Sequence, residues 1–307
     1  MLIDPYGRPV NDLRISLTQQ CNLNCFYCHH EGQGCSSGPK TVEMSAEEIE
    51  LLVKVAASLG VEKIKLTGGE PLLYKETVKV VKLLSKIKGI RDISMTTNGT
   101  LLSEWARPLA KAGLKRVNIS LDTLSKEKYA KITGKALFGR VLDGIDAALK
   151  AGLKPVKLNM VLLKNVNESE LPSLIDFSRK KGIILQVIEL VVPDNASFLK
   201  KYHADVTSIE RLLEELSVKV VIRKMQKRKK YFLKDGGEVE LVKPVHNSEF
   251  CANCTRLRVT SDGKLKPCLM RNDNLVDVLT PMRKGASEEE IKKLFIEAVK
   301  RRAPYYR

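Results

Sequence analysis

Apolar positions recur along the first two thirds of the chain in two alternating rhythms. Short apolar or period-two runs at Leu13–Thr18, Glu62–Thr67, Ile90–Thr96, Arg116–Leu121, Pro155–Leu163 and Ile183–Val191 predict strands. Between them, the spacing predicts helices near Lys75–Ile87, Ser103–Ala112, Arg140–Ala151 and Glu168–Lys181. Ser45-Ala46-Glu47-Glu48 reads as a capping box that opens one more helix, running to about Leu59 and ended by Gly60. Six strands separated by helices imply parallel βα units with right-handed crossovers. The expected fold class is α/β, a partial TIM-type (β/α)6 barrel, because eight units do not fit before Val191. A doubly wound flat sheet is the alternative.

Beyond about Asp194 the rhythm changes. A helix near Thr207–Leu216 precedes strand-like Val218–Arg223 and Lys230–Lys243, the latter broken at the turn signal Asp235-Gly236-Gly237. A second hairpin joins Arg256–Thr260 to Lys264–Cys268 through Ser261-Asp262-Gly263, and a helix over about Ser287–Arg301 closes the chain. This pattern predicts a barrel domain over 1–194 and a C-terminal α+β extension over 195–307 that covers the barrel's open side.

The chain's 307 residues can bury a sizeable core, and no run of about 18 apolar residues suggests a membrane span. Met1-Leu2-Ile3-Asp4-Pro5 has neither a basic nor an apolar region of a secretory signal, so a cytoplasmic location without a membrane is expected. The formal charge of +17 calls for an anionic partner, either nucleic acid or a small polyanion such as a nucleoside triphosphate. Aromatic content of 5% speaks against a base-stacking single-strand binder. The basic run Arg223 to Lys230 reads as a solvated loop or strand end.

Chemistry enters with the cysteines. Six of the seven fall into two triplets, and Cys35 is left over without an assigned role. Cys21, Cys25 and Cys28 are spaced C-x3-C-x2-C directly after the first strand. Thiolates are the soft ligands of iron–sulfur clusters, and three of them leave one iron of a four-iron cubane open for a ligand. A zinc site completed by His29 or His30 is the alternative, though zinc motifs favour C-x2-C pairs. Thr67-Gly68-Gly69-Glu70-Pro71, Thr96-Thr97-Asn98-Gly99 and Ser120-Leu121-Asp122 follow later strands, so every unusual segment lands on the carboxyl face where barrels bind ligands. The second triplet is Cys251, Cys254 and Cys268. Taken alone it suits a zinc ribbon with His246 as nearest fourth ligand, or an iron–sulfur site, about equally. Beside the first triplet, a second open cluster is the better reading.

With an aromatic residue before its last cysteine, the first motif resembles that of radical S-adenosylmethionine (radical SAM) enzymes. Asp12-Leu13-Arg14-Ile15-Ser16-Leu17-Thr18, the Thr-Gly-Gly-Glu-Pro segment, and Phe250-Cys251-x2-Cys254-x-Arg256-x-Arg258 closing on Cys268-Leu269 together resemble the GTP 3′,8-cyclase (molybdenum-cofactor biosynthesis protein A) family, over nearly the whole chain. The resemblance implies two [4Fe–4S] clusters, one on Cys21, Cys25 and Cys28 that binds SAM, and one on Cys251, Cys254 and Cys268 that receives guanine. It implies Tyr27, Gly69, Ser120 and Val191 beside SAM. It further implies Arg14, Lys65, Thr96, Lys157, Arg256, Leu257 and Arg258 at GTP, with Arg256 and Arg258 also serving catalysis. An electron-donor protein, a downstream cyclic pyranopterin monophosphate synthase and homodimerisation are expected from the same source.

The chain departs from the family pattern where Lys65 and Gln186 replace arginines, and where it ends Ala303-Pro304-Tyr305-Tyr306-Arg307 in place of a double glycine. Lysine keeps the charge of the first without the bidentate fork, and Gln186 loses the charge. Two rivals remain at this point. A peptide-modifying two-cluster radical SAM enzyme usually has more C-terminal cysteines, and a basic zinc-bearing nucleic-acid binder has no use for the glycine-rich motif.

Overall fold

The computed structural model describes residues 1–33, 43–191 and 196–306. Cys35, the rest of the glycine-rich loop to Lys40, the boundary expected near residue 195, and Arg307 lie outside them. The six βα strands are β1 (Asp12–Ser16), β2 (Lys63–Thr67), β3 (Asp92–Thr97), β4 (Arg116–Ser120), β5 (Val156–Leu162) and β6 (Ile184–Glu189). They pair in parallel and in sequence order. The intervening helices are α1 (Ala46–Ser58), α2 (Thr77–Leu84), α3 (Leu102–Ala112), α4 (Lys126–Thr133), α5 (Phe138–Lys150) and α6 (Leu171–Lys181). The Ser45–Glu48 capping box is formed as the sequence predicts. Glycines with left-handed backbone at Gly113, Gly134 and Gly182 end α3, α4 and α6.

Period-two alternation explains how one set of strands builds both a core and a site. Leu13 and Ile15 of β1, Ile64 and Leu66 of β2, and Val117 and Ile119 of β4 lie buried in the apolar core. Each such side chain contributes roughly 2 kcal/mol by leaving water. Their alternates, among them Arg14, Lys65, Thr96 and Asn118, line a cavity instead. Barrel interiors are usually filled by branched apolar side chains. This one is lined with charge.

The extension begins with α7 (Ala196–Tyr202) and α8 (Val206–Glu215), then β7 (Ser217–Ile222), β8 (Lys229–Leu233) and β9 (Glu238–Val242). It continues with α9 (Ser248–Ala252), β10 (Arg256–Val259), β11 (Lys264–Lys266), β12 (Val276–Asp277), α10 (Leu279–Arg283) and α11 (Glu288–Lys300). It continues the barrel's own sheet at both edges. β9 adds parallel to β6, and β10 adds parallel to β1. Antiparallel β7–β8 and β11–β12 then lengthen the two margins, giving one 12-stranded sheet in the order β12-β11-β10-β1-β2-β3-β4-β5-β6-β9-β8-β7. The sequence pattern misses α4, α7, α9 and α10, which run to eight residues or fewer. Such short helices are held by their neighbours more than by their own periodicity.

Candidate active site

The loop after β1 carries the first triplet. The Cys28 amide donates to the Cys25 carbonyl (3.0 Å), while the Asn24 and Phe26 amides donate to the carbonyls of Thr133 (2.8 Å) and Ile132 (3.2 Å). The unforeseen helix α4 is therefore the loop's backing. The amides of Leu23 and His30 point at Cys21 Sγ (3.5 Å) and Cys28 Sγ (3.4 Å), and Asn98 Nδ2 lies 3.8 Å from Cys21 Sγ. Glu70 is wholly buried and accepts from Thr97 Oγ1 (2.7 Å) and from the amides of Asn98 (2.7 Å) and Leu72 (3.1 Å). Burial outweighs these bonds and pushes its carboxyl up to about 7. A Cβ on Gly69 would overlap the Gln20 carbonyl oxygen and sit 2.5 Å from that of Gln19. The close approach that demands glycine there is the backbone leading into Cys21. Tyr27 donates its hydroxyl to Asp122 Oδ2 (2.6 Å), whose carboxyl burial raises to about 6.

Below this loop lies a cavity of about 870 Å³. Tyr27 and Val191 border it, and Arg14, Lys65, Thr96, Lys157, Arg256 and Arg258 all reach it. Strand register brings them together: Arg258 stands beside Arg14, Arg14 beside Lys65, and Asn118 beside Lys157. Lys65 Nζ donates to Asn118 Oδ1 (2.8 Å), and burial together with Arg14 pulls its pKa well below the usual value. Thr96 Oγ1 is buried without a partner among the described residues.

Glu31, which the sequence pattern does not single out, accepts from Arg258 Nη1 (2.7 Å), Arg14 Nη1 (3.3 Å) and Thr67 Oγ1 (2.9 Å). Burial alone would raise its carboxyl, but Arg14 and Arg258 overcome that and hold it well below the usual carboxylate range. Arg256 Nε donates to Asp12 Oδ1 (3.3 Å), a partner on the neighbouring strand. Strand alternation could have found Asp12 and Asn118, which lie two residues before Arg14 and Ser120. Nothing local marks Glu31.

The second triplet closes the other end, and Cys251, Cys254 and Cys268 all line the cavity. The chain's two termini fix its backbone: Arg8 Nη1 donates to the Cys251 carbonyl (2.8 Å) and Arg302 Nη2 to the Cys254 carbonyl (2.6 Å). Asp4 ties the two arginines together, at 2.7 Å from Arg8 and 3.0 Å from Arg302. Burial alone would raise the Cys254 thiol, yet Arg256, Arg302 and Arg258 bring it below the ordinary value. Cys268 is pushed up by burial. Tyr305 and Tyr306 border the cavity, and His246 packs against Tyr306 with tilted rings and centroids 5.0 Å apart. Three candidates sit elsewhere. Ser120 ends β4 outside the cavity lining, Gly69 packs on the cysteine loop, and the Leu257 side chain is buried in the core.

Residues 15–178 match the Radical SAM superfamily and residues 183–307 match Molybdenum Cofactor Synthesis C. The probable GTP 3′,8-cyclase of Methanothermobacter thermautotrophicus is 51% identical, over 99% of this chain and 98% of its own. That of Thermococcus kodakarensis is 50% identical, over 100% of both chains. The chain belongs to the GTP 3′,8-cyclase family. Solved structures agree in fold. Streptococcus suis SuiB bound to S-adenosylmethionine has a TM-score of 0.66 at 21% identity, over 85% of this chain, which spans only 60% of SuiB. Native anSMEcpe with bound AdoMet has a TM-score of 0.60 at 18% identity, over 95% of this chain and 81% of its own.

Membership of the radical SAM superfamily implies a [4Fe–4S] cluster and SAM, and the first triplet of this cyclase-family chain fits the cluster. Its N–H donors aim at two of the three sulfurs, where they offset thiolate charge. Burial keeps the free Cys25 thiol protonated well above its ordinary range, and binding to iron removes that proton. Among the described residues no three His, Cys, Asp or Glu side chains converge on one metal ion. A cubane takes each thiolate at a different iron, so its ligands need no such convergence.

Proposed function

We propose that the protein is a radical SAM enzyme that converts GTP to 3′,8-cyclo-7,8-dihydro-GTP, the first step of molybdenum cofactor synthesis. The observation that carries this reading is one charged cavity bordered by Tyr27 of the first cysteine loop and by all three cysteines of the second triplet. In this reading Cys21, Cys25 and Cys28 within 1–194 hold the SAM cluster, and Cys251, Cys254 and Cys268 within 195–307 hold a second. When bound, the first cluster and SAM supply a carbon-centred radical able to take hydrogen from C3′ of the ribose, which lets C3′ bond to C8 of guanine.

The chain's own residues bind, orient and exclude water. Arg256 and Arg258 sit between the second triplet and β1, where they hold the guanine end. Lys65 and Lys157 face the phosphates, and Thr96, whose hydroxyl has no partner among the described residues, can bond the ribose or a phosphate. Tyr27, fixed by Asp122, orders the loop against SAM. Gly69, Ser120 and Val191 complete the SAM side, and Leu257 can offer substrate only its backbone. We also infer a cytoplasmic, homodimeric enzyme that takes electrons from a separate protein and hands product to a pyranopterin synthase.

The test is anaerobic reconstitution followed by metal analysis and turnover. About eight irons per chain, as two cubanes require, with 5′-deoxyadenosine formed only in the presence of GTP, is the expected result. Zinc without iron, or iron with GTP inert, overturns it.

A further inference from the structure

One wall of the cavity carries cations from the basic run that the sequence pattern assigns to solvent. Between β7 and β8 the chain turns from Arg223 to Arg228, and both of these arginines line the cavity, whereas Lys224 and Lys227 are exposed. Arg223 Nη1 donates to Glu240 Oε1 (2.8 Å), and Lys157 Nζ donates to the same oxygen (2.5 Å). Among the described residues the second oxygen, Glu240 Oε2, is buried without a partner, and so is Nε of Arg228. Gln186, which stands beside Glu240 in the β6–β9 register, adds no charge. Among the described residues three cations thus face the Glu240 carboxylate, Asp12 also acts on Arg228, and this partly desolvated wall keeps a net positive charge.

The turn is held in place at some cost. Gln226 (φ 59°) and Lys227 (φ 48°) adopt left-handed backbone, which non-glycine residues seldom do. The Gln226 amide donates to the Asn253 carbonyl (2.9 Å), and its side chain lies 3.7 Å from Cys254 Sγ. The Arg223 amide donates to the Arg228 carbonyl (2.9 Å). A solvated loop has no need of these ties. They aim two guanidinium groups inward beside Lys157, which the reading above sets at the phosphates.

We propose that Arg223 and Arg228 grip the phosphate chain of a nucleoside triphosphate together with Lys157, while Glu240 holds these cations in place until phosphate displaces it. This rests on the GTP reading above. Guanidinium groups match phosphate oxygens in bidentate fashion, and a chain of phosphates supplies the negative charge that one carboxylate lacks.

The experiment titrates the reconstituted holoenzyme with GTP, GMP and guanosine, comparing wild type with R223Q, R228Q and R228K. R223Q and R228Q each weaken GTP about ten-fold, the value of a charged hydrogen bond, and leave guanosine unchanged, so the preference for GTP over guanosine shrinks. R228K recovers part of the loss, and turnover shows a raised KM with kcat largely kept. Wild type that fails to bind GTP overturns the functional reading itself. Wild type that binds GTP, with a GTP-to-guanosine ratio unaltered in the variants, overturns this inference alone. Should R228Q fold poorly, R223Q decides, since its side chain is 39% exposed.

Discussion

The two cysteine triplets differ in the charge that surrounds them, most clearly at Cys25 and Cys254, while burial raises Cys268 of the second as it raises Cys25 of the first. At the first triplet, burial and then Glu70 raise the free Cys21 thiol, and burial and then Asp122 raise that of Cys25. At the second, burial acts in the same direction on Cys254, but Arg256, Arg302 and Arg258 reverse it. The difference is the sign of the neighbours. Carboxylates at one end suit a cationic ligand, and SAM carries a sulfonium and an ammonium. Guanidinium groups at the other suit hydrogen-bond acceptors, and guanine presents O6 and N7. The barrel's surplus of charge is thus sorted along the cavity, and strand alternation does the sorting by sending Arg14, Lys65, Arg256 and Arg258 inward.

The most severe way to break this contrast is to delete one end at a time. Replacing Cys21, Cys25 and Cys28 by Ala removes about four irons and all SAM cleavage. Replacing Cys251, Cys254 and Cys268 also removes about four irons, yet leaves SAM cleavage measurable and no longer tied to GTP. Iron content and 5′-deoxyadenosine report both, and equal behaviour of the two triple variants would erase the distinction. Gly69→Ala comes next. Its Cβ would press on two backbone carbonyls of the cysteine loop, those of Gln19 and Gln20, so the loop must shift. Overpacking of this kind costs about 1–3 kcal/mol, and Tm should fall with it. SAM affinity should suffer more than GTP affinity, because the displaced segment leads into Cys21.

The sequence shows clearly what repeats with a short period and hides what depends on distant segments. The six barrel strands, the capping box at Ser45 and the strand-end motifs are all written in local alternation and turn chemistry. The joining of β9 and β10 to the barrel's edges is not, because strand pairing between segments far apart in the chain, as between Arg258 and Arg14, leaves no local trace. The same limit applies to the site. Arg14, Arg256 and Arg258 were legible from the motifs in which they sit. Glu31, Arg223 and Arg228 were not, since their places at the cavity come from what the fold sets opposite them.

A middle-sized test concerns Glu31 itself. Arg258→Ala leaves a partly buried carboxylate with Arg14 at 3.3 Å and Thr67 as its remaining partners. Stranding such a charge costs about 1–3 kcal/mol, read as a drop in Tm. Adding Glu31→Gln to that variant removes the stranded charge and should restore much of the loss. A double variant no more stable than R258A would mean that the arginine, not the pair, matters to the fold.

The smallest effect is a pH dependence of GTP binding set by Lys157. Burial is the largest influence on this amine and lowers it from its ordinary value to about 8, with Glu240 opposing the shift. Below that pH Lys157 is charged and can meet a phosphate; as pH rises through about 8 the free protein loses this cation. GTP affinity should therefore decline between about pH 7 and 9, by up to about ten-fold if the full charged contact is lost. Bound phosphate favours the charged amine, so binding near this pKa should also take up a fraction of a proton, visible by calorimetry in buffers of different ionisation enthalpy. Lys157→Arg keeps its charge across this range and should flatten the profile. A wild-type profile already flat over the same range would place Lys157 outside the phosphate contacts, leaving that wall to Arg223 and Arg228 alone.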